Sequence, residues 1–248
     1  MLEPLRQRLR MLEKAAIPRG DSGCQALGIE GIDAVLGGGL THGALHEIAA
    51  MSEAHLAAAT GFTLGLTTLA SSSPARRCCW IAEDMALAES GAPCGTGLAS
   101  FGLAPERLLT VAAARPRDLL WAMEEALHCR AIRVVIGEWR HGAIDAVAVR
   151  RLSLAAAESG ALALLLRAAP TGEPSTAATR WIVGAAPSVS AEQSEIQPRF
   201  AARLTRNRRG PLGAWILEWS ESDERFLLAT HAQPVALPAA DRPHRKVA

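Results

Sequence analysis

Leu2, Leu5, Leu9 and Leu12 recur at helical spacing with Arg and Glu between them, which predicts an amphipathic helix over 2–14. Pro18, Gly20 and Gly23 follow as a linker, so this helix is expected to pack either on its own domain or on a partner. Around Ile32–Leu36 a short helical pattern is closed by three glycines, a helix stop. Leu45–Ala50 then reads as a buried strand and Glu53–Leu69 as an Ala-rich helix. Gly61 and Gly65 inside that helix each cost about 1 kcal/mol relative to alanine, which points to close packing against a sheet.

The alternation continues. Cys78–Ala82 is a strand ending in Glu83 and Asp84, and a glycine-rich stretch leads to a third strand at Leu108–Val111. Asp118–Cys129 is a helix with Leu119, Leu120, Met123 and Leu127 inward. Ile132–Ile136 is β-branched and apolar throughout, Ala143–Ser159 is helical, and Leu162–Leu166 and Trp181–Gly184 are strands. This order predicts an α/β fold, a mostly parallel sheet flanked by helices. Phe200–Arg206 and Ala214–Trp219 read instead as an antiparallel hairpin turning at Gly210–Gly213, with Phe226–Ala229 as a further strand. The expected division is an N-terminal helix and linker (1–24), a core domain (25–230) and a flexible C-terminal tail (231–248).

Composition changes this picture in three ways. The 248 residues carry 26 Lys+Arg against 25 Asp+Glu, which excludes a polycationic tail-like protein but not a local basic face. Only Lys14 and Lys246 are lysines, so the basic chemistry is almost wholly guanidinium. The five cysteines form no C-x-x-C pair, and His42 and His46 lack a third ligand, so neither a metal site nor a disulfide framework is expected. No signal-peptide core and no spanning apolar run occur, which predicts a cytoplasmic protein without a membrane partner.

Several segments carry a likeness in their order. LGIEGIDAVLGGGLTHGALHEI (27–48) resembles the entry to the RecA-type ATPase core, and CCWIAEDMAL (78–87) its second core strand with the acid beyond it. RVVIGE (133–138) is similar to the Walker B strand, and LTRNRRGPLG (204–213) to the late RecA hairpin. Over about residues 25–220 the combination resembles the ImuA family, RecA-like proteins of bacterial damage-inducible mutagenesis cassettes. The cell-division inhibitor SulA shares the shortened core.

A P-loop needs small residues that curl backbone amides around phosphate, a Lys for the terminal phosphates and a Ser or Thr for magnesium. In that place stands Ala50-Met51-Ser52-Glu53-Ala54-His55-Leu56-Ala57. Aligned on the family pattern, Ala50 and His55 take glycine positions, Leu56 the lysine position and Ala57 the threonine position. Glu53 adds negative charge where triphosphate would lie, and the nearest cations in sequence are Arg19 and Arg76. Asp84 matches the catalytic acid, with Glu83 beside it, and Glu138 matches the Walker B acid. A retained Glu138 also has a purely structural use, as a hydrogen-bond acceptor for the loop. The resemblance therefore implies a kept fold without ATPase activity, cofactor or metal.

Arg203, Arg206, Asn207, Arg208 and Arg209 crowd the predicted hairpin, with no acidic residue between Glu195 and Glu218. In a regular strand Leu204 and Arg206 would share one side and Arg203 and Thr205 the other. Three readings stand: a solvated basic edge, a contact to nucleic-acid phosphate, or a contact to an acidic protein surface. The resemblance adds that Arg206-Asn207-Arg208 match RecA residues that reach a neighbouring subunit. Trp139 and Arg140, just past the best strand, are candidates for an exposed interface anchor or base-stacking platform, and Leu5 and Leu9 for a helical contact. The loop 167–180 lacks aromatic and basic density, so DNA binding by it alone is expected to be weak.

The expected function is a non-catalytic RecA-like adaptor in SOS-induced translesion synthesis. As the family implies, its partners would be a Y-family-like polymerase subunit, with RecA, an error-prone replicative-type polymerase, DNA or a second copy of itself as further candidates. The alternatives are a SulA-like inhibitor of the division GTPase and an active RecA-type ATPase.

Overall fold

A computed structural model describes residues 4–8, 23–71, 77–187 and 197–229. In chain order, β1 (Cys24–Gln25), α1 (Glu30–Leu36) and β2 (Leu40–Thr41) form the entry to the core. Then come β3 (Ala44–Ala50), a 3-10 turn (Glu53–His55) and α2 (Leu56–Ala70). Next are β4 (Arg77–Glu83), α3 (Asp84–Ser90), α4 (Gly95–Ser100), β5 (Leu108–Ala113), α5 (Pro116–His128) and β6 (Ile132–Trp139). The remainder is α6 (Ala146–Ser159), β7 (Leu162–Arg167), β8 (Thr179–Ala185), β9 (Arg199–Asn207), β10 (Gly213–Ser220) and β11 (Arg225–Leu228).

Nine strands form one sheet in the order β11-β10-β9-β8-β3-β7-β6-β4-β5. From β5 to β8 all neighbours are parallel, and from β8 to β11 all are antiparallel. The fold is therefore the expected mixed α/β architecture. Its parallel strands are apolar on both faces because helices cover both. On one face, even-numbered residues of β3 and β6, such as Ile48 and Ile136, meet Phe62 and Leu66 of α2. On the other, Leu45 and Val135 meet Leu119 and Met123 of α5 and Val149 and Leu152 of α6.

Helix α2 is buried along almost its whole length and around its circumference, so its polar residues are satisfied internally. The hydroxyls of Thr63 and Thr67 donate to the carbonyls of Ala59 (2.7 Å) and Thr63 (2.8 Å). Gly65 faces Phe226 and Trp219, and a Cβ there would stand 2.5 Å from Phe226 Cζ and 3.0 Å from the Trp219 ring. Glycine is thus the residue that lets the antiparallel strands close over the helix. Asp33 fixes the entry to α1 by accepting from the amides of Leu27 (2.7 Å) and Gly28 (2.9 Å), and Gly37 ends the helix in the left-handed region.

Three local expectations differ from the structure. The glycine-rich stretch holds two short helices, α3 and α4, because Cys94 caps α4 through Sγ and its glycines lie within or beyond a helical turn rather than breaking one. Helix α6 begins at Ala146, where Asp145 accepts from the amide of Val147, and not at Ala143. Strand β6 runs on to Trp139, three residues past Ile136. Leu2, Leu12, the linker at Pro18 and Gly20, and the tail 231–248 lie outside the described residues. No described helix is long and apolar enough to cross a membrane.

His46 sits wholly buried in β3. Its Nε2 donates to the carbonyl of Thr41 (3.0 Å), so the neutral ring accepts at Nδ1 from the Thr179 hydroxyl (2.8 Å). Trp181 Nε1 in turn donates to Thr179 Oγ1 (3.0 Å). Burial pushes the imidazole down to about 4, outweighing the Thr41 carbonyl, which acts the other way.

Two outcomes follow. Gly65→Ala is expected to destabilise the protein by about 1–3 kcal/mol through overpacking, read from urea midpoints at constant m. The folded-state pKa of His46 lies below the ordinary 6.5, so its contribution is intact above that pH and is lost as pH falls towards about 4. Wild-type stability should therefore fall more steeply than that of His46→Asn across this window, by up to about 3 kcal/mol.

Candidate functional site

The carboxyl ends of β3, β4 and β6 converge where a RecA-type core would hold nucleotide. Strand β3 ends at Ala50, which is fully buried, and Met51 donates its amide to the Val183 carbonyl of β8 (2.8 Å). Ser52 is extended, and the 3-10 turn Glu53–His55 leads straight into α2. No residue from Met51 to Leu56 has a positive φ. The turn therefore lacks the alternation of right- and left-handed residues that aims successive amides at one anion.

Side chains close this turn. His55 Nδ1 accepts from the amide of Ala185 at the end of β8 (3.0 Å), tying the loop to the sheet. Leu56, in the lysine position, packs against the core that surrounds α2. Glu53 and Ala57 are exposed. Arg19 and Arg76 lie outside the described residues.

The acids at the strand ends are paired with cations of the same rim. Glu138 is 6 % exposed and lies on the α2 side of β6. Its Oε1 accepts from Arg140 Nε (2.8 Å) and Nη2 (2.6 Å), and its Oε2 from Trp80 Nε1 (3.1 Å). Arg140 also lies 3.6 Å from Glu89 of α3. Glu83 Oε1 is 2.6 Å from Nε2 of His141. Asp84, matched to the catalytic acid, is exposed as the first residue of α3. His141 and Glu89 were not singled out by sequence reasoning, since their roles arise only when β4, α3 and β6 are brought side by side. Among the described residues no group of His, Cys, Asp and Glu is arranged to hold a metal ion.

Trp139 is corrected by the structure. It is 5 % exposed, packs with Ile144 and Val149, and donates Nε1 to the Gly142 carbonyl (3.1 Å). Strand β6 extends far enough to turn this ring inward, so it is no exposed platform. Arg140 is committed to Glu138 rather than displayed. Leu5 packs against the cluster beneath α5, and Arg6 pairs with Glu125 (3.2 Å) and lies 5.2 Å from the centroid of Trp121, so residues 4–8 lie on their own domain. Leu9 lies outside the described residues.

The arginine hairpin divides into anchors and unpaired cations. Asn207 Nδ2 donates to the carbonyls of Val35 (2.8 Å) and Pro211 (3.0 Å), and its Oδ1 accepts from the Arg209 amide (3.0 Å). Arg209 Nη1 reaches Thr41 Oγ1 (3.0 Å) and Cys24 Sγ (2.8 Å). Both expected interface residues thus fasten the turn to the α1 entry. Arg208 is exposed, whereas Arg203 and Arg206 are half-buried and their Nε atoms are enclosed without an acceptor.

The regular alternation expected for β9 also fails. Arg180 of β8 pairs with Arg206, but the next residue, Trp181, pairs with Leu204. Thr205 is the extra residue of a β-bulge, and its hydroxyl donates to the Arg180 carbonyl (3.2 Å). Arg206 therefore lies on the same face as Arg203, opposite Leu204. On this face Arg180 Nε meets Glu47 Oε2 (2.6 Å), and Glu47 also accepts from Ser175. Arg167, whose side chain is 3 % exposed, donates to the Gly142 carbonyl (2.6 Å) while its Nε has no acceptor. Burial lowers the Arg167 pKa from its ordinary value, against the opposite pull of Glu47 and Glu173.

The chain is 29 % identical over 201 residues to Protein ImuA in two strains of Caulobacter vibrioides, covering 75 % of this chain and 79 % of that protein. No family model matches it.

Arg140→Ala leaves Glu138 with Trp80 as its remaining donor. The variant is expected to lose about 2–3 kcal/mol in urea unfolding, and adding Glu138→Gln should recover part of it, because the neutral amide needs no counter-charge.

Proposed function

Since the chain is an ImuA homologue, we propose that it serves in damage-inducible mutagenesis as a non-catalytic RecA-like scaffold. It would dock a Y-family-like polymerase subunit in SOS-induced translesion synthesis. The observation that carries this reading is the state of the phosphate turn. Its lysine position is an apolar residue packed in the core, its backbone offers no anion nest, and His55 is spent on β8. The strand-end acids support the same reading, because Glu138 and Glu83 already face Arg140 and His141. A magnesium ion would have to displace Arg140 to use Glu138.

A scaffold acts through shape and surface, so residues of the former chemical site are dispensable when their replacement keeps the fold. In the host, deletion of this chain is expected to lower mutation frequency after ultraviolet irradiation. Ser52→Ala and Asp84→Asn, which change exposed polar groups of the site, should restore the frequency fully. Loss of mutagenesis in these two variants, with the protein still present at normal level, would restore a chemical role to the site. An undiminished frequency in the deletion strain would remove the chain from mutagenesis altogether.

A further inference from the structure

The bulge at Thr205 has a consequence for the sheet face opposite α2. It sets three residues of β9, Leu204 to Arg206, against two of β8. Arg203 and Arg206 therefore stand opposite Ile182 and Arg180 and inherit their spacing of about 7 Å, the repeat of alternate side chains in an extended chain. Arg180 is neutralised by Glu47, whereas Arg203 and Arg206 have no ion pair and enclosed Nε atoms without acceptors. Beside them, a small cavity on the same face is lined by Arg167, Thr171, Arg180, Ile182 and Thr205, and Arg167 is almost wholly buried with its own Nε unpaired. Ile182 lies between the charged rows, and Ala214 faces Arg203 across β10. The helices of this side, α5 and α6, lie over β3 to β7.

We propose that this face of β8–β9 docks an extended segment of a protein partner in which carboxylate side chains alternate with apolar ones. Guanidinium forks held at a fixed spacing suit bidentate pairing with carboxylates, and the isoleucine between them suits an apolar side chain. A free anion would not span the pair. Single-stranded nucleic acid fits less well, since such binders stack bases on aromatic rings. Here Trp181, Phe200, Trp215, Trp219 and Phe226 all point to the opposite face, into the α2 core and its aromatic contacts.

This inference rests on the reading of the chain as a docking scaffold but is tested separately from it. The full chain is titrated, by fluorescence anisotropy, with a labelled peptide of alternating glutamate and isoleucine and with labelled oligothymidine. The peptide is expected to bind, and Arg203→Ala/Arg206→Ala to weaken it at least about tenfold by removing two charge-assisted contacts. The double lysine variant should restore binding only in part, because a point charge lacks the fork. Melting temperatures should not fall in the alanine variant, since neither arginine has an internal ion pair. Absence of peptide binding, or equal affinity in wild type and alanine variant, overturns the proposal. So does oligothymidine binding that is lost on substitution while the peptide stays unbound; that result would assign the face to nucleic acid. Neither failure alters the outcome of the mutagenesis test of the scaffold.

Discussion

Helix α2 has no solvent face over most of its length, and this enclosure governs the rest of the molecule. The sheet lies on one side of it, and Phe226 and Trp219 close from another against Gly65. A helix so enclosed has its rotation fixed by packing, which in turn fixes where each residue of its first turn projects. Leu56 is directed into the core and His55 to β8. The loop between β3 and α2 is thus an ordinary packed connection, stabilised by apolar contact and one hydrogen bond. In a phosphate-binding loop the same connection must leave its amides unpaired and carry a cation.

The carboxyl rim follows the same logic. Carboxylates at the ends of parallel strands are costly without a counter-charge, and a bound metal or phosphate-linked cation is one way to supply it. In this chain the counter-charges are built in, Arg140 for Glu138 and His141 for Glu83. On the far half of the sheet the balance is reversed. Glu47 and Glu173 face more guanidinium groups than they neutralise, and Arg203 and Arg206 are left over.

Much of the fold was legible because strands such as Ile132–Ile136 and Leu162–Leu166 are apolar on both faces, a pattern that only a covered parallel sheet explains. The erosion of the phosphate turn was equally legible, since it depends on which residues follow β3. What was hidden depended on neighbours distant in sequence. The inward turn of Trp139 depends on how far β6 is held by β7, and the pairing of Glu83 with His141 joins segments 58 positions apart. The bulge at Thr205 has no local sequence mark, yet it reverses the face on which Arg206 projects. Asn207 and Arg209 were read with the other basic residues, but their contacts are with Val35, Cys24 and Thr41, far earlier in the chain.

The central claim is that a RecA-like scaffold has kept its sheet and closed its phosphate turn with its own side chains. Isothermal titration of the purified chain with ATP and magnesium measures this most directly. The account predicts no heat of binding up to millimolar nucleotide. A saturable isotherm with micromolar affinity, abolished by changing Ser52 or Glu138, would contradict it.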